Sequence, residues 1–298
     1  RLNVFAGCEC INLRIHAVEP RARGVITSYL FMGVKVMRRV MTILAVLAVL
    51  GTTSAMALPT SVLEYHFEND AGLGEDYTAG GTVHDYSAGA NDGTLSDPAP
   101  SWTTGIAGGA LEFTGGQSIS VAHDDSLNPG SGDFALALWI LTVDNTDGDV
   151  LRKGSTANSS TWYKVEHSPS THNNRLSLNF NTNGNDATVH STSSYDDEQW
   201  HFVVAQRNGD VAELWIDGIL DGTDAISGSI SNTGNLGIGS KDTLDDDFLN
   251  GSLDEMYIFM SALTADEINE MYTTIPEPAT IALLGLGSLL FARKRNKA

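Results

Sequence analysis

Residues 211–220 read Val-Ala-Glu-Leu-Trp-Ile-Asp-Gly-Ile-Leu, and this stretch decides the fold class. Ala212, Leu214 and Ile216 place an apolar side chain at every second position, with Glu213 between them, which fits the period of a half-buried β-strand. Asp217-Gly218 then separates two apolar runs, and this dipeptide is a strong signal for a two-residue hairpin turn. The stretch therefore predicts two antiparallel strands joined by a tight turn.

The same alternation recurs through the middle of the chain, bounded by Gly, Asn, Asp and Ser. Further runs lie at 63–67, 110–114, 118–122, 161–167, 175–181, 199–207, 235–239 and 251–260. Residues 134–143 are apolar on both faces, which predicts a strand at the centre of a sandwich. Many short strands with regularly spaced turns predict an all-β fold, a two-sheet antiparallel jelly-roll sandwich over residues 58–274.

One helix is legible at the end of this region. Thr264-Ala265-Asp266-Glu267 has the pattern of a capping box, in which the Thr264 hydroxyl and the Glu267 carboxylate each accept from the other residue's backbone N–H. Leu263 and Ile268 are spaced as the hydrophobic staple across it. We expect a short C-terminal helix over 264–272, packed at the edge of the sandwich.

Composition and charge exclude several classes of protein. The chain has 298 residues, 42% of them apolar, which is too many for a disordered chain. Residues 58–274 hold 34 acidic and 6 basic side chains, a formal charge of −28, which repels nucleic acid and attracts divalent cations. Both cysteines, Cys8 and Cys10, lie outside this region, so no disulfide can stabilise it.

The N-terminal segment has the features of a targeting sequence. Residues 37–57 combine a basic start, an apolar run over 41–50 and a small-residue cleavage site at Ala55-Met56-Ala57, as in a secretory signal peptide. The alternative is a membrane anchor, for which the apolar run is short. We interpret residues 1–36 as an upstream segment that is not part of the mature protein.

The C-terminal segment, 275–298, places an apolar stretch before a basic cluster. Pro276-Glu277-Pro278 is followed by Ala279–Ala292 and then by Arg293-Lys294-Arg295. In order and spacing these parts resemble a PEP-CTERM sorting signal. The resemblance implies export in a Gram-negative bacterium, recognition by an exosortase-type enzyme, and a transient membrane association that ends at the cell envelope or extracellular matrix. The alternative is an ordinary tail anchor.

The middle region resembles the laminin G-like, concanavalin A-like jelly rolls of bacterial surface proteins. The pieces that carry the resemblance fall in order at 65–68, 85–95, 102–113, 134–139, 153–154, 200–201, 214–218, 238–239 and 248–268. Many relatives contain a cysteine pair that this region lacks, so disulfide bonding does not carry over.

A loop rich in oxygen donors suggests a structural Ca²⁺ site. The loop contains Asp85, Ser87, Asn91 and Asp92 with turn glycines at 89 and 93. The resemblance implies that such an ion ties this loop to the last strand, which would bring Asp254 against Asp85 and Asn91. The alternative is that Asp85 and Asn91 only cap a turn. A second acidic cluster, Asp242 and 245–247, is interpreted as a solvated loop.

Exposed aromatic side chains are the candidates for glycan binding, because the apolar face of a sugar stacks on an aromatic ring. Trp162, Tyr163 and Tyr195 lie in or beside polar stretches, and we predict that they are exposed and bind a ligand. Trp139, Trp200 and Trp215 lie in apolar strands, and we predict that they are part of the core. For Trp102, the sequence does not decide between an exposed position and one in the core.

No catalytic pattern is evident in the sequence. Glu64, His66 and Glu68 share one face of a strand, but the two carboxylates lie about 13 Å apart along it, too far for retaining glycoside hydrolysis. We therefore expect an exported, non-enzymatic surface or matrix module that binds glycan or extracellular polysaccharide. The alternatives are a polysaccharide-active enzyme of the same fold and a purely structural matrix protein.

Overall fold

The structure is a computed structural model that describes residues 2–6, 9–13, 57–143, 147–154, 161–168, 173–241, 243–244 and 246–275. The chain divides into two compact units, Arg1–Ala55 and Met56–Ala298. In the first unit, β1 (Leu2–Ala6) pairs antiparallel with β2 (Glu9–Leu13). Residues 37–56 of the predicted signal peptide and 276–298 of the predicted sorting segment lie outside the described residues.

The described residues of the second unit form sixteen strands and one α-helix. The strands are β3 (Ser61–Tyr65), β4 (Thr82–Val83), β5 (Gly93–Leu95), β6 (Ser101–Thr104), β7 (Gly109–Thr114), β8 (Ile119–Val121), β9 (Phe134–Thr142), β10 (Gly148–Lys153), β11 (Trp162–Ser168), β12 (Arg175–Asn181), β13 (Ala187–His190), β14 (Trp200–Asn208), β15 (Val211–Ile216), β16 (Ile219–Ala225), β17 (Leu236–Ile238) and β18 (Asn250–Phe259). A 3₁₀ turn covers Asp125–Leu127, and helix α1 covers Ala265–Thr274.

The strands form two antiparallel sheets. Sheet 1 has the order β13-β12-β11-β10-β17-β8-β5-β4, and sheet 2 has the order β16-β15-β14-β9-β18-β7-β6. Strand β3 also belongs to sheet 2, because it pairs with the second half of β18 while β7 pairs with the first half. Between the two halves, β18 has a bulge after Asp254, where its register with β9 shifts. The predicted jelly-roll sandwich is confirmed.

The apolar strand β9 explains how the core is divided. Leu136 and Leu138 point between the sheets, into the main core. Ala137 and Trp139 point to the outer side of sheet 2, where they pack with Ile268 of the helix in a second cluster. Both faces of this strand are therefore buried, as its sequence predicts.

Helix α1 lies on the face of sheet 2, and the expected position at an edge of the sandwich is wrong. Ile268 and Met271 are fully buried against side chains of β9 and β14, because the outer side of those strands is itself apolar. The predicted capping box is confirmed between Thr264 and Glu267, and the helix ends at Thr274 rather than at residue 272. No helix within the described residues combines the length and the apolar character needed to cross a membrane.

Candidate ligand-binding face

The outer side of sheet 1 carries a compact group of charged and aromatic side chains. Trp162, Lys164 and Glu166 alternate on β11 and point outward, whereas the residues between them are buried. Arg152 of β10 and Asn179 of β12 lie directly opposite Lys164 on the two neighbouring strands. We call the surface formed by these five residues the polar face.

Lys164 joins the two carboxylates of this region. Its ammonium lies 3.2 Å from Oδ1 of Asp149 and also donates to Oε2 of Glu166. Arg152 lies 3.5 Å from Oδ2 of Asp149, and the Asn179 amide donates to Oε1 of Glu166 at 2.8 Å. The charged groups are thus arranged in one hydrogen-bonded network, which fixes their positions.

Burial changes the acid–base properties of this network. Asp149 is 1% exposed, and burial raises the pKa of its carboxyl to about 6, although Lys164 and Arg152 act in the opposite direction. Burial would lower the pKa of Lys164, but Asp149 and Glu166 outweigh it and raise that pKa. Lys164 therefore remains a cation at neutral pH.

The Trp162 ring is held in place by two cations. The guanidinium carbon of Arg152 lies 4.7 Å from the ring centroid, and the ammonium nitrogen of Lys164 lies 5.8 Å from it. Both distances lie within the range of a cation–π interaction. The ring is partly exposed, so it forms a preoriented aromatic surface beside hydrogen-bonding groups.

A pocket adjoins this group. It has a volume of about 300 Å³, and its lining includes Asp149, Lys164 and Glu166. A second pocket of about 390 Å³ shares Asp147 and Asp247 with the first. The polar face therefore borders a recess, and two of its own residues, Lys164 and Glu166, contribute to the lining.

Tyr163 does not belong to this surface, and the prediction that it is exposed is wrong. Its side chain is fully buried, and its hydroxyl donates to the Leu127 carbonyl at 3.1 Å. Adjacent side chains of a strand point to opposite sides of the sheet, so Trp162 and Tyr163 cannot both face solvent. A buried ring cannot stack on a ligand from solution.

Tyr195 lies in a different place, among ionisable groups of sheet 2. The ring is partly buried, and it meets the His201 ring edge-on with 4.7 Å between centroids. His201 lies 2.8 Å from Asp217 and 3.2 Å from Asp197, and the hydrogen bond with Asp217 is the main reason that the pKa of His201 is raised. Trp162 and Tyr195 therefore belong to two separate groups.

Asp85 is saturated with hydrogen-bond donors. Its Oδ1 accepts from the backbone N–H groups of Glu64 and Ser87, both at 2.9 Å. Its Oδ2 accepts from the Ser87 hydroxyl at 2.9 Å and from the Asn91 N–H at 2.7 Å. A carboxylate offers about four acceptor positions, so none is left for a cation.

Asp254 is held by a different loop. Its Oδ2 accepts from the N–H groups of Ile106 and Ala107 at 2.9 and 3.1 Å, and its Oδ1 accepts from Glu255 N–H at 2.8 Å. The donors around Asp85, Asn91 and Asp254 do not fit a shared Ca²⁺ and favour the turn-cap alternative. Within the described residues, no group of three or more His, Cys, Asp or Glu side chains is arranged to hold a metal ion.

His66, which was predicted to share a strand face with Glu64 and Glu68, lies just after the end of β3, between the carboxylates of Glu64 and Glu255. His66 Nε2 lies 3.0 Å from Glu64, and Nδ1 lies 2.9 Å from Glu255 of β18. Burial would lower the pKa of His66, but the two carboxylates raise it to about 10. The imidazolium uses both nitrogens for these contacts, so it is not available as a general base at neutral pH.

Of the residues of the polar face, only Trp162 was predicted from the sequence as a ligand-binding residue. The alternation of Trp162, Lys164 and Glu166 along one strand was a usable signal, because three alternate residues share one side of a sheet. Arg152 and Asp149 could not be assigned to this face from the sequence, because β10 was not among the predicted strands. The charged network becomes visible only through the pairing of β10 with β11.

Comparisons with known proteins agree with this architecture. Residues 113–269 match the family model of the concanavalin A-like lectin/glucanases superfamily, and residues 274–296 match the PEP-CTERM protein-sorting motif. A curated relative, adhesion G-protein coupled receptor V1 of Danio rerio, is 25% identical over 173 residues, which are 55% of this chain. The match spans only 3% of the length of that receptor.

Two solved structures have the same fold at low sequence identity. Domain 4 of AbnA, a GH43 extracellular arabinanase from Geobacillus stearothermophilus solved with arabinotriose, is 14% identical with a TM-score of 0.56, and the alignment covers 73% of this chain and 100% of that domain. The binding domain of Paraclostridial Mosquitocidal Protein 1 is 13% identical with a TM-score of 0.56, and the alignment covers 72% of this chain and 52% of that one.

The family model spans more than half of the chain, and the two-sheet sandwich is the architecture expected from that match. The sorting motif begins at residue 274, where helix α1 ends. The chain therefore belongs to the concanavalin A-like lectin/glucanases superfamily and carries a C-terminal PEP-CTERM sorting motif.

Proposed function

We propose that this protein is an exported, non-enzymatic module that binds a neutral glycan through the polar face. The observation that carries the proposal is the Trp162 ring, which is partly exposed, held by Arg152 and Lys164, and next to groups that can bond sugar hydroxyls. An aromatic platform with fixed polar neighbours is the usual composition of a sugar site.

The charge of the domain favours a neutral ligand. Residues 58–274 carry a formal charge of −28, which repels acidic polysaccharides at low ionic strength. Within the network, the two cations balance Asp149 and Glu166, so the polar face adds no attraction for an anion. Neutral hydroxyl-rich chains are therefore the best match.

Two observations support a binding module over an enzyme. Asp149 and Glu166 are both engaged by Lys164, and their remaining contacts go to Arg152 and Asn179, so neither carboxylate is free to act as nucleophile or acid. In addition, the mosquitocidal-protein neighbour is described as a binding domain. A polysaccharide-active enzyme and a purely structural protein are the competing functions.

The sorting motif supports a proposal for where the protein is located and for which enzyme recognises it. We infer that an exosortase-type enzyme recognises residues 274–296 and that the protein reaches the envelope or matrix of a Gram-negative bacterium after a transient membrane association. The ligand would then be a polysaccharide of that matrix.

The test uses affinity electrophoresis of the full chain in gels containing arabinan, xylan, mannan or mixed-linkage β-glucan. Trp162→Ala should weaken retardation about tenfold, the loss expected for one aromatic contact. Trp215→Ala, which removes a partly buried Trp from the other sheet, is the control and should bind as the parent does. Release of reducing sugar from any of these polymers would overturn the non-enzymatic proposal.

A further inference from the structure

Trp102 is an exposed tryptophan with a fixed orientation. It lies on β6 at the edge of sheet 2, and 46% of its surface is exposed. Its indole Nε1–H donates to the Phe67 carbonyl at 2.8 Å. This hydrogen bond restricts the indole in the free protein. Stacking of a ligand on the ring therefore costs little additional side-chain entropy.

Two glycines bring a carboxylate next to this ring. A Cβ atom at Gly109 would lie 2.4 Å from the Trp102 Nε1, and one at Gly108 would lie 2.2 Å from Glu68 Oε1. Both side chains therefore pack against this pair of consecutive glycines, Trp102 at Gly109 and Glu68 at Gly108. Glu68 also accepts a hydrogen bond from the Gly109 N–H, and its exposed carboxylate keeps further acceptor positions.

The backbone around this pair is held in an unusual conformation. Phe67 and Glu255 have φ angles of 57° and 48°, in the left-handed region that ordinary side chains disfavour. The buried carboxylate of Asp254 fixes the loop before Gly108 through the N–H groups of Ile106 and Ala107. Such conformations persist only where surrounding contacts enforce them, and they are concentrated at ligand sites.

We propose that Trp102 and Glu68 form a second glycan-binding site, in which a neutral sugar stacks on the indole and donates hydroxyl hydrogen bonds to the carboxylate. This inference rests on the proposed glycan-binding function. It extends that function from binding one polysaccharide segment to holding two.

The two sites are too far apart to be one site. Strands β13 and β16 are in contact, so they mark one side of the sandwich and β6 marks the other. β11 is third from the β13 side of sheet 1, and β6 is seventh from the same side of sheet 2. Four strand spacings of about 4.8 Å separate them laterally, about 20 Å in all, and the sites belong to different sheets. A protein with both sites can cross-link polysaccharide chains.

The test compares the full-length parent with Trp102→Ala, Trp102→Phe, Glu68→Gln, Trp162→Ala and the double alanine variant. The readouts are affinity electrophoresis in the four neutral polysaccharides and the viscosity that the protein adds to their solutions. Ile219→Ala, which truncates a side chain that is 70% exposed elsewhere, is the control. Thermal unfolding of each variant identifies any loss of folding.

We expect Trp102→Ala to weaken retardation about tenfold and to remove the added viscosity, whereas Trp102→Phe keeps part of both because a ring remains. Glu68→Gln should weaken binding without changing the unfolding temperature. If Trp102→Ala and Glu68→Gln equal the parent while Trp162→Ala loses binding, this inference is wrong and the proposed function stands. If Trp102→Ala loses binding and Trp162→Ala does not, glycan binding at Trp102 stands, whereas binding at the polar face and the cross-linking of chains are both overturned. Absence of retardation for the parent overturns both.

Discussion

His66 Nδ1 lies 2.9 Å from Oε2 of Glu255, and this contact joins the end of strand β3 to the bulge of β18. The other ring nitrogen contacts Glu64, so one imidazolium is shared between two carboxylates. The bulge residue Glu255 is 6% exposed and has a left-handed φ of 48°. The ion pair therefore holds a strained backbone position in place.

The first prediction concerns the pH range over which His66 stabilises the fold. Its folded-state pKa, about 10, is above the unfolded value, so the stabilisation is complete below about pH 6.5 and is lost as the pH rises through 10. His66→Gln should cost about 2 kcal/mol at pH 6 and much less at pH 10.5. Urea unfolding of both proteins measures this, with His84→Gln as control. A cost that is independent of pH would contradict it.

The second prediction uses Asp149, whose folded-state pKa is raised by burial to about 6. The folded state binds this proton more tightly than the unfolded state, so this carboxyl contributes stability at pH 4 that is lost as the pH rises to about 6. Asp149→Asn resembles the protonated form. Its stability relative to the parent should therefore increase between pH 4 and 7, as measured by urea unfolding, whereas the exposed Asp210→Asn should show no such trend.

The third prediction concerns Asp85 and calcium. Because its four acceptor positions are used by protein donors, Asp85→Ala should destabilise the domain by about 3 kcal/mol whether or not Ca²⁺ is present. The parent should unfold at the same temperature in CaCl₂ and in NaCl of matched ionic strength. A higher unfolding temperature in Ca²⁺ that Asp85→Ala abolishes would instead establish the calcium site.

The fourth prediction concerns the docking of helix α1. Ile268 is fully buried in the cluster between the helix and sheet 2, so Ile268→Ala should cost about 3 kcal/mol in the free energy of unfolding. Asn269 is the next residue and is exposed, and Asn269→Ala should cost less than about 0.5 kcal/mol. Equal effects of the two changes would mean that the helix does not contribute to the folded core.

Much of the fold was predictable because its signals are local. The capping box of Thr264 and Glu267 depends on four consecutive residues, and the Asp217-Gly218 hairpin depends on two. The apolar character of β9 likewise predicts burial on both of its faces. What covers its outer face was not predictable, because the position of a helix depends on residues distant in sequence.

The candidate site was predictable only in part, for the same reason. Alternation on β11 identifies the side chains that share a face with Trp162, and it also requires Tyr163 to be buried. Arg152 lies on the neighbouring strand β10, and it comes close to the Trp162 ring only because β10 pairs with β11. Asp254 is a comparable case, since its partners, Ile106 and Ala107, lie almost 150 positions away in the sequence.

The helix that covers sheet 2 also determines on which side of the sandwich the sorting motif begins. Helix α1 ends at Thr274, where the sorting motif begins, and it lies on the outer side of the sheet that is opposite the polar face. If the protein is tethered through this motif, as we propose, the tether leaves the domain on the side of sheet 2 that α1 covers. Trp162 then lies on the other side of the sandwich, turned away from the point of attachment.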